Sequence, residues 1–314
     1  HRAHGRIVTV PARPPTTDTL RSDSLPERVL AWYAENARDL PWRQPAVSAW
    51  GVLVSEVMLQ QTPVARVAPV YSTWMTRWPD PDDLAGEPVS VAIRAWGRLG
   101  YPRRAVRLHA AASTIATRHH GVVPSTPDEL RALPGVGEYT AAAVAAFAFG
   151  ARVAVLDTNV RRVLARLHGQ AHPRPHLTNV ERRLAADLLP ADPPVAARWS
   201  VALMELGALV CTSSNPRCGD CPLAADCSWL AAGRPTPDVP RRGQPFTGTD
   251  RQVRGRLMAV LREADSPVTS EVLDAVGTDT PPHIGDEQRR RALASLVTDG
   301  LVVAEADGRY RLPD

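Results

Sequence analysis

The chain of 314 residues contains no lysine, and all 37 of its basic side chains are arginines. The N-terminus apart, it therefore holds no amine that can form a Schiff base. Arginine offers a planar fork suited to phosphate oxygens and base edges. Cysteine is scarce and confined: the four fall between Cys211 and Cys227. None remains to staple distant segments, which excludes a disulfide scaffold. No apolar run reaches the roughly 18 residues of a membrane-spanning helix, and no signal-peptide pattern opens the chain. No membrane partner is expected, and the cytosol is the simplest compartment. The chain opens on His1 rather than Met, so its true N-terminus is expected upstream. A formal charge of +4 and a pI near 9.2 are compatible with nucleic acid.

The sequence is organised around Leu133 to Asn159, LPGVGEYTAAAVAAFAFGARVAVLDTN. Gly135 and Gly137 permit a tight turn with close backbone approach. The Ala-rich helix that follows, Glu138 to Phe149, turns its free N–H groups toward that turn, a place that suits a phosphate. An ordinary helix-linking turn would also fit these residues. A lone acid, Asp157, stands about twenty residues on and doubles as a helix N-cap.

A second helical stretch, Ser48 to Thr62, is apolar nearly all round, with Glu56 as its only ionisable group. Burial raises the pKa of a carboxyl and keeps it protonated near neutrality, as a general acid requires. The competing reading is a Glu paired with one of the many Arg for structure. Tyr101, on the Leu99-Gly100-Tyr101-Pro102 break, either packs a loop or stacks on bases as a wedge. Further helices are expected at 26–36, 63–77, 88–99, 103–119, from Pro127, from Asp157, and at 199–209 around Glu205. The run Cys211-x6-Cys218-x2-Cys221-x5-Cys227 is a metal or cluster site. Tetrahedral zinc normally takes two close pairs, whereas these spacings wrap one compact cubic cluster.

Residues 1–24 read as a disordered arm and 233–249 as a Pro/Gly/Arg linker. Beyond the linker, residues 250–314 predict three helices and a hairpin turning at Asp307-Gly308 in a type I′ turn, a winged-helix-like unit. Its third helix carries Arg289, Arg290 and Arg291 as candidate phosphate contacts. Such a unit binds DNA or protein, and its fold alone does not choose.

LPGVG with a later Asp, Glu56 within SEVMLQQT, and the cysteine run resemble the helix–hairpin–helix DNA glycosylases with an iron–sulfur cluster. Together with LPWR, MELGA and LDTNV they most resemble the MutY-type adenine DNA glycosylases, over roughly residues 25 to 230. The resemblance implies an all-α fold in one glycosylase domain, 25–232. In it a six-helix barrel module (about 49–156) is inserted into a cluster-bearing domain (about 25–48 plus 157–232). It implies a 4Fe-4S cluster on Cys211, Cys218, Cys221 and Cys227. It makes Glu56 the general acid toward adenine and Asp157 the carboxylate facing an oxocarbenium-like sugar, with Tyr139 and Asn159 supporting Asp157. Arg43 and Glu205 match groups around the extruded adenine. Gln61, Thr62, Leu99 and Tyr101 match the surface that intrudes at the mismatch. Leu133, Gly135, Val136 and Gly137 match the phosphate-gripping hairpin.

The expected partner is duplex DNA containing A:8-oxoguanine or A:G, met by a monomer in the bacterial cytoplasm at the nucleoid. The expected chemistry is monofunctional, because the lyase of the endonuclease III type needs a Lys where Tyr139 stands. A thymine–guanine mismatch glycosylase and a non-catalytic iron–sulfur regulator are the alternatives. The run Gln60-Gln61-Thr62 favours adenine over the first, and the retained Glu56 and Asp157 argue against the second. Two departures stand out: Pro102 replaces a second Tyr found in many members, and a winged-helix-like unit replaces the Nudix-like domain that reads 8-oxoguanine.

Overall fold

The computed structural model describes residues 24–236, 246–277 and 284–314. The expected arm (1–24, of which Ser24 alone is described) and the linker segment 237–245 lie outside the described residues. Fifteen helices and one two-stranded hairpin make up the described chain, an all-α architecture.

Helix α1 (Leu25–Asn36) starts on a capping box of Ser24 and Glu27. A 3-10 turn at Pro41–Arg43 leads to α2 (Ala49–Leu59), α3 (Val64–Arg77), α4 (Pro81–Ala85), α5 (Val89–Trp96), α6 (Arg103–Arg118), α7 (Pro127–Arg131) and α8 (Glu138–Phe149). These form one apolar core around α2, with Leu53, Met58, Trp74, Trp96, Leu108 and Ile115 fully buried. Trp74 meets Trp78 and Trp96 edge-on at 4.8 and 5.6 Å, the favoured aromatic geometry.

A second core joins α1 to α9 (Thr158–Leu167), α10 (Asn179–Asp187) and α11 (Pro193–Leu209), through Val29, Val163, Leu164, Leu203 and Leu206. The chain thus begins in one core, builds the other and returns. A small bridge of Ala143, Ala146, Val155 and Ala197 ties α8 to α11. Helix α11 starts at Pro193, six residues earlier than the apolar pattern predicts. Asp192 accepts from the Val195 amide at 3.0 Å, and proline occupies the first turn, where no N–H is needed. A one-turn α12 (Ser228–Ala231) follows the cysteines.

The C-terminal unit holds α13 (Asp250–Glu263), α14 (Ser270–Asp274), α15 (Asp286–Thr298), β1 (Val303–Ala304) and β2 (Tyr310–Arg311). Val268 bridges to Tyr310 and extends the wing. The turn is not type I′: among its residues only Gly308 has positive φ (+83°), while the Asp307 carboxylate accepts from the Arg309 amide at 3.1 Å and holds Asp307 out of the left-handed region. Arg289 is also displaced from its expected role. It is 2% exposed, donates to Asp286 and to the Ile284 carbonyl, and faces the unit's core. Arg290 and Arg291 are both exposed, and Arg291 pairs with Asp250. The unit docks on the first core: Arg94 donates to the Arg262 carbonyl and, at 2.7 Å, to that of Ala264, and Arg103 reaches Asp299 at 3.2 Å.

Candidate active site

Between the two cores lies a cleft of about 1170 Å³, lined from one side by α2 and the start of α8 and from the other by the 3-10 turn, α9 and α11. Glu56 enters it from the middle of α2. The helix is buried along nearly its whole length, because Trp50, Leu53, Val54, Val57 and Met58 leave it no solvent face. Glu56 is 5% exposed. Tyr139 Oη, from the first turn of α8, donates to Glu56 Oε2 at 2.7 Å. Burial pushes the Glu56 carboxyl up to about 7; the Asp157 charge adds to this, while the Tyr139 hydrogen bond and the Arg43 charge oppose it. No ion pair anchors Glu56 among the described residues, so the reading of it as half of a structural Glu–Arg pair falls.

Asp157 stands at the N-cap of α9. Its Oδ1 accepts from the Val160 amide at 2.6 Å and its Oδ2 from Asn159 Nδ2 at 2.8 Å. Burial pushes this carboxyl up as well, and those donors with the Arg162 guanidinium hold it down. Asn159 is itself fixed, since its Oδ1 accepts from Arg162 Nη2 at 2.7 Å, and the same nitrogen donates to the Gly207 carbonyl at 2.7 Å. Gly207 is required there: a Cβ would stand 2.7 Å from Asn159 Cβ and 2.9 Å from its carbonyl. Tyr139 differs from expectation. Its hydroxyl serves Glu56, because the first turn of α8 faces α2, while the hydrogen bonds to Asp157 among the described residues come from Val160 and Asn159.

Glu205 on α11 is fully buried. Arg38 binds it through Nε at 2.7 Å, Nη2 at 2.8 Å and the backbone amide at 3.1 Å, and Arg43 through Nη2 at 2.9 Å. Despite the burial that would raise it, these donors hold the carboxyl down at about 2, so it stays ionised. Arg38 escaped the sequence reading; only its pairing across 167 residues reveals it. Arg43 keeps one buried nitrogen, Nη1, without a partner, on a side chain that lines the cleft.

The expected intruding surface divides in two. Gln61 and Tyr101 are exposed and both take left-handed backbone, with φ of +54° and +48°, which non-glycine residues rarely adopt. Thr62 and Leu99 lie beneath them, 7% and 3% exposed, and brace the loops rather than project from them. Arg104, also unforeseen, links the two loops by donating to the Gln60 and Gly100 carbonyls and to Thr62 Oγ1.

In the hairpin, Leu133 and Val136 are buried anchors, and Gly135 and Gly137 are exposed. Gly135 has φ +77°, and a Cβ there would stand 2.6 Å from Arg107 Cβ. Gly137 caps α8 with no side-chain partner, leaving the N-terminal amides of α8 toward the outside.

All four cysteines are unpaired. Burial and the charges of the other three push the Cys221 thiol up to about 11, as expected of four thiols grouped near one another. Four cysteine thiols are the donor set that an iron–sulfur cluster takes. Arg166, 3% exposed, donates to Cys211 Sγ at 3.3 Å and to the carbonyls of Thr212 and Ser213. An anionic thiolate-bound cluster supplies the countercharge that neutral carbonyls do not.

The model of the "HhH-GPD superfamily base excision DNA repair protein" matches residues 54–187, and that of the "iron-sulfur binding domain of endonuclease III" matches 211–227, the span of the four cysteines. An adenine DNA glycosylase of Mycolicibacterium smegmatis is 52% identical over 288 residues, 91% of this chain and 95% of the relative. One from Mycobacterium tuberculosis is 54% identical over 296 residues, 91% and 92% of the two chains.

The chain belongs to the adenine DNA glycosylase family.

Its fold agrees with solved structures of the same superfamily. A thermostable thymine-DNA glycosylase superposes with a TM-score of 0.60 at 27% identity, covering 66% of this chain and 95% of that one. An endonuclease III trapped on DNA superposes with a TM-score of 0.57 at 24% identity, covering 67% and 95%, a likeness of fold. Members of this family carry out base excision repair, and a 4Fe-4S cluster is the cofactor of this chain.

Proposed function

We propose that this chain is a monofunctional glycosylase that excises adenine mispaired with 8-oxoguanine or guanine in duplex DNA. The observation that carries the reading is Glu56: a desolvated carboxyl in a cleft, hydrogen-bonded to Tyr139 and poised to hold a proton near neutrality.

A base inside a duplex is out of reach, so the adenine must be turned out into the cleft. Glu56 then gives its proton to the departing base as the bond from C1′ to the base nitrogen breaks, the bonding electrons leaving with adenine. Asp157, oriented by Val160, Asn159 and Arg162, presents a carboxylate to the electron-poor sugar. Water adds to C1′, and its surplus proton restores Glu56. Two carboxyls in one cleft thus take different roles because their environments differ. Arg43 lines the cleft as one of the polar groups around the base, and Glu205 keeps Arg43 and Arg38 in place. The relatives' own name supports adenine as the base.

Cys211, Cys218, Cys221 and Cys227 would hold the cluster. When bound it closes their loop and presents fixed negative charge to Arg166, which serves structure and docking. Exposed Gly135 and Gly137, with the amides that open α8, suit a DNA phosphate. The division into a six-helix module of about 49–156, a cluster-bearing part and a C-terminal unit that adds duplex affinity belongs to the same reading.

The test is single-turnover excision on duplexes carrying A:8-oxoguanine, A:G, T:G and thymine glycol. Excision from the two adenine duplexes alone is expected, with A:8-oxoguanine the faster. Excision from T:G instead would replace adenine by thymine in this reading.

A further inference from the structure

The exposed ring of Tyr101 lies within about 6 Å of two guanidinium groups, one of them from the C-terminal unit. Arg104 of α6 lies 5.6 Å from the ring centroid, and Arg251 of α13 lies 5.1 Å from it. Arg251 Nη2 also donates to Tyr101 Oη at 2.5 Å. The ring's own backbone is in the left-handed region, and the loop is held there from several sides. Trp96 Nε1 donates to the Gly100 carbonyl at 2.9 Å, Arg104 Nη2 to the same carbonyl at 3.0 Å, and Thr62 Oγ1 to that of Leu99 at 3.3 Å. Backbone of this kind persists only where its surroundings overdetermine it, and such sites cluster at ligand clamps.

Arg251 reaches the loop because its unit is docked. Arg94 of α5 binds the carbonyls at the end of α13, and Asp299 is held both by Arg103 of α6 and, at 2.6 Å, by Arg254 of α13. The start of α13 therefore hangs beside the Tyr101 loop with the Arg251 guanidinium at the ring and its hydroxyl.

We infer that Arg251 is a positioning residue for Tyr101, and that through it the C-terminal unit sets how sharply the chain distinguishes a mismatched duplex from an intact one. An aromatic wedge must enter between base steps in one orientation. A ring already held by a hydrogen bond and two nearby cations loses less freedom on entry than a ring free on an exposed loop. Phosphates flanking the opened step suit the same arginine fork. The inference rests on the reading of the chain as a glycosylase that opens duplex DNA at Tyr101.

The full-length, cluster-loaded chain is compared as wild type, Arg251→Ala, Tyr101→Phe, the double variant and Arg251→Lys. The duplexes are an intact one and an A:G mismatch with 2-aminopurine beside it, whose fluorescence reports unstacking. Tyr101→Phe keeps the ring and removes only the oxygen that Arg251 holds. Each single variant should lower the ratio of the two dissociation constants by about three- to tenfold, the scale of one hydrogen bond with a cation–π contact. The double variant should fall no further, and Arg251→Lys should recover part of the loss together with the fluorescence rise. Additive losses, or a silent Tyr101→Phe, would overturn the inference. So would a drop in thermal midpoint in Arg251→Ala that accounts for its loss, since that marks undocking. A wild type that unstacks 2-aminopurine but excises nothing would sink the proposed activity and leave this comparison readable.

Discussion

Tyr139 Oη and Glu56 Oε2 are joined at 2.7 Å on one wall of the cleft, a polar contact that ties α8 to α2 at the acid. A phenol donating to a carboxylate stabilises the ionised form, so this contact opposes the burial that raises Glu56. The outcome is a carboxyl near 7, neither locked neutral nor freely ionised.

Replacing Glu56 by Gln keeps the shape and removes the proton. Excision should fall by about 10²–10⁴, the usual weight of general acid catalysis, with duplex binding retained. Stability should change in the opposite direction. Between about 4.5 and about 7 the unfolded chain ionises Glu56 while the folded chain keeps its proton, so wild-type stability is lost as pH rises through that window. Above it the variant should be more stable than wild type, on the order of 1–3 kcal/mol, and the gap should vanish below pH 4.5. Denaturant melts at pH 4 and pH 8 check this. A variant less stable at pH 8 would mean that Glu56 is structural.

Gly207→Ala should be costly out of proportion to its size. The added methyl meets Asn159, which orients Asp157, and so pushes α11 from α9. Overpacking of this kind costs roughly 1–3 kcal/mol. Excision should drop even where the variant remains folded, and a crystal structure should show the Asn159–Asp157 bond lengthened.

Iron should be present at four atoms per chain and lost on Cys221→Ala, with zinc absent from protein prepared anaerobically. Arg166→Met should weaken the cluster, because the buried cation beside Cys211 is removed. Elemental analysis and the visible absorption of the cluster decide both.

A chain without lysine should leave an abasic site and little strand break until alkali is added. Borohydride should trap no stoichiometric covalent adduct with DNA. Efficient trapping would require an amine that the sequence does not offer outside its N-terminus.

Much of the site was legible because local chemistry marks it. Glu56 is an acid on a helix with no polar face, and Gly135 stands where a side chain would strike Arg107. The helix boundaries followed from caps and prolines, with α4 and the early start of α11 missed where prolines in the first turn broke the apolar pattern. Long-range partners were not legible. That Arg38 rather than Arg43 dominates Glu205, that Tyr139 serves Glu56, and that Arg251 lies on Tyr101 across 150 residues depend on which faces the fold brings together. Arg289 failed for the opposite reason: charge in a sequence reads as surface, and here Asp286 pairs with it at the edge of a core.

The most direct test of the account is the pH dependence of wild-type excision with enzyme below saturation, which reports the proton on free enzyme. Excision should decline above a pH of about 7 with the loss of one proton. Tyr139→Phe should move that decline to higher pH, since the donor that favours the ionised acid is gone. A rate that stays flat from pH 6 to pH 9 in the wild type would contradict Glu56 as the proton donor.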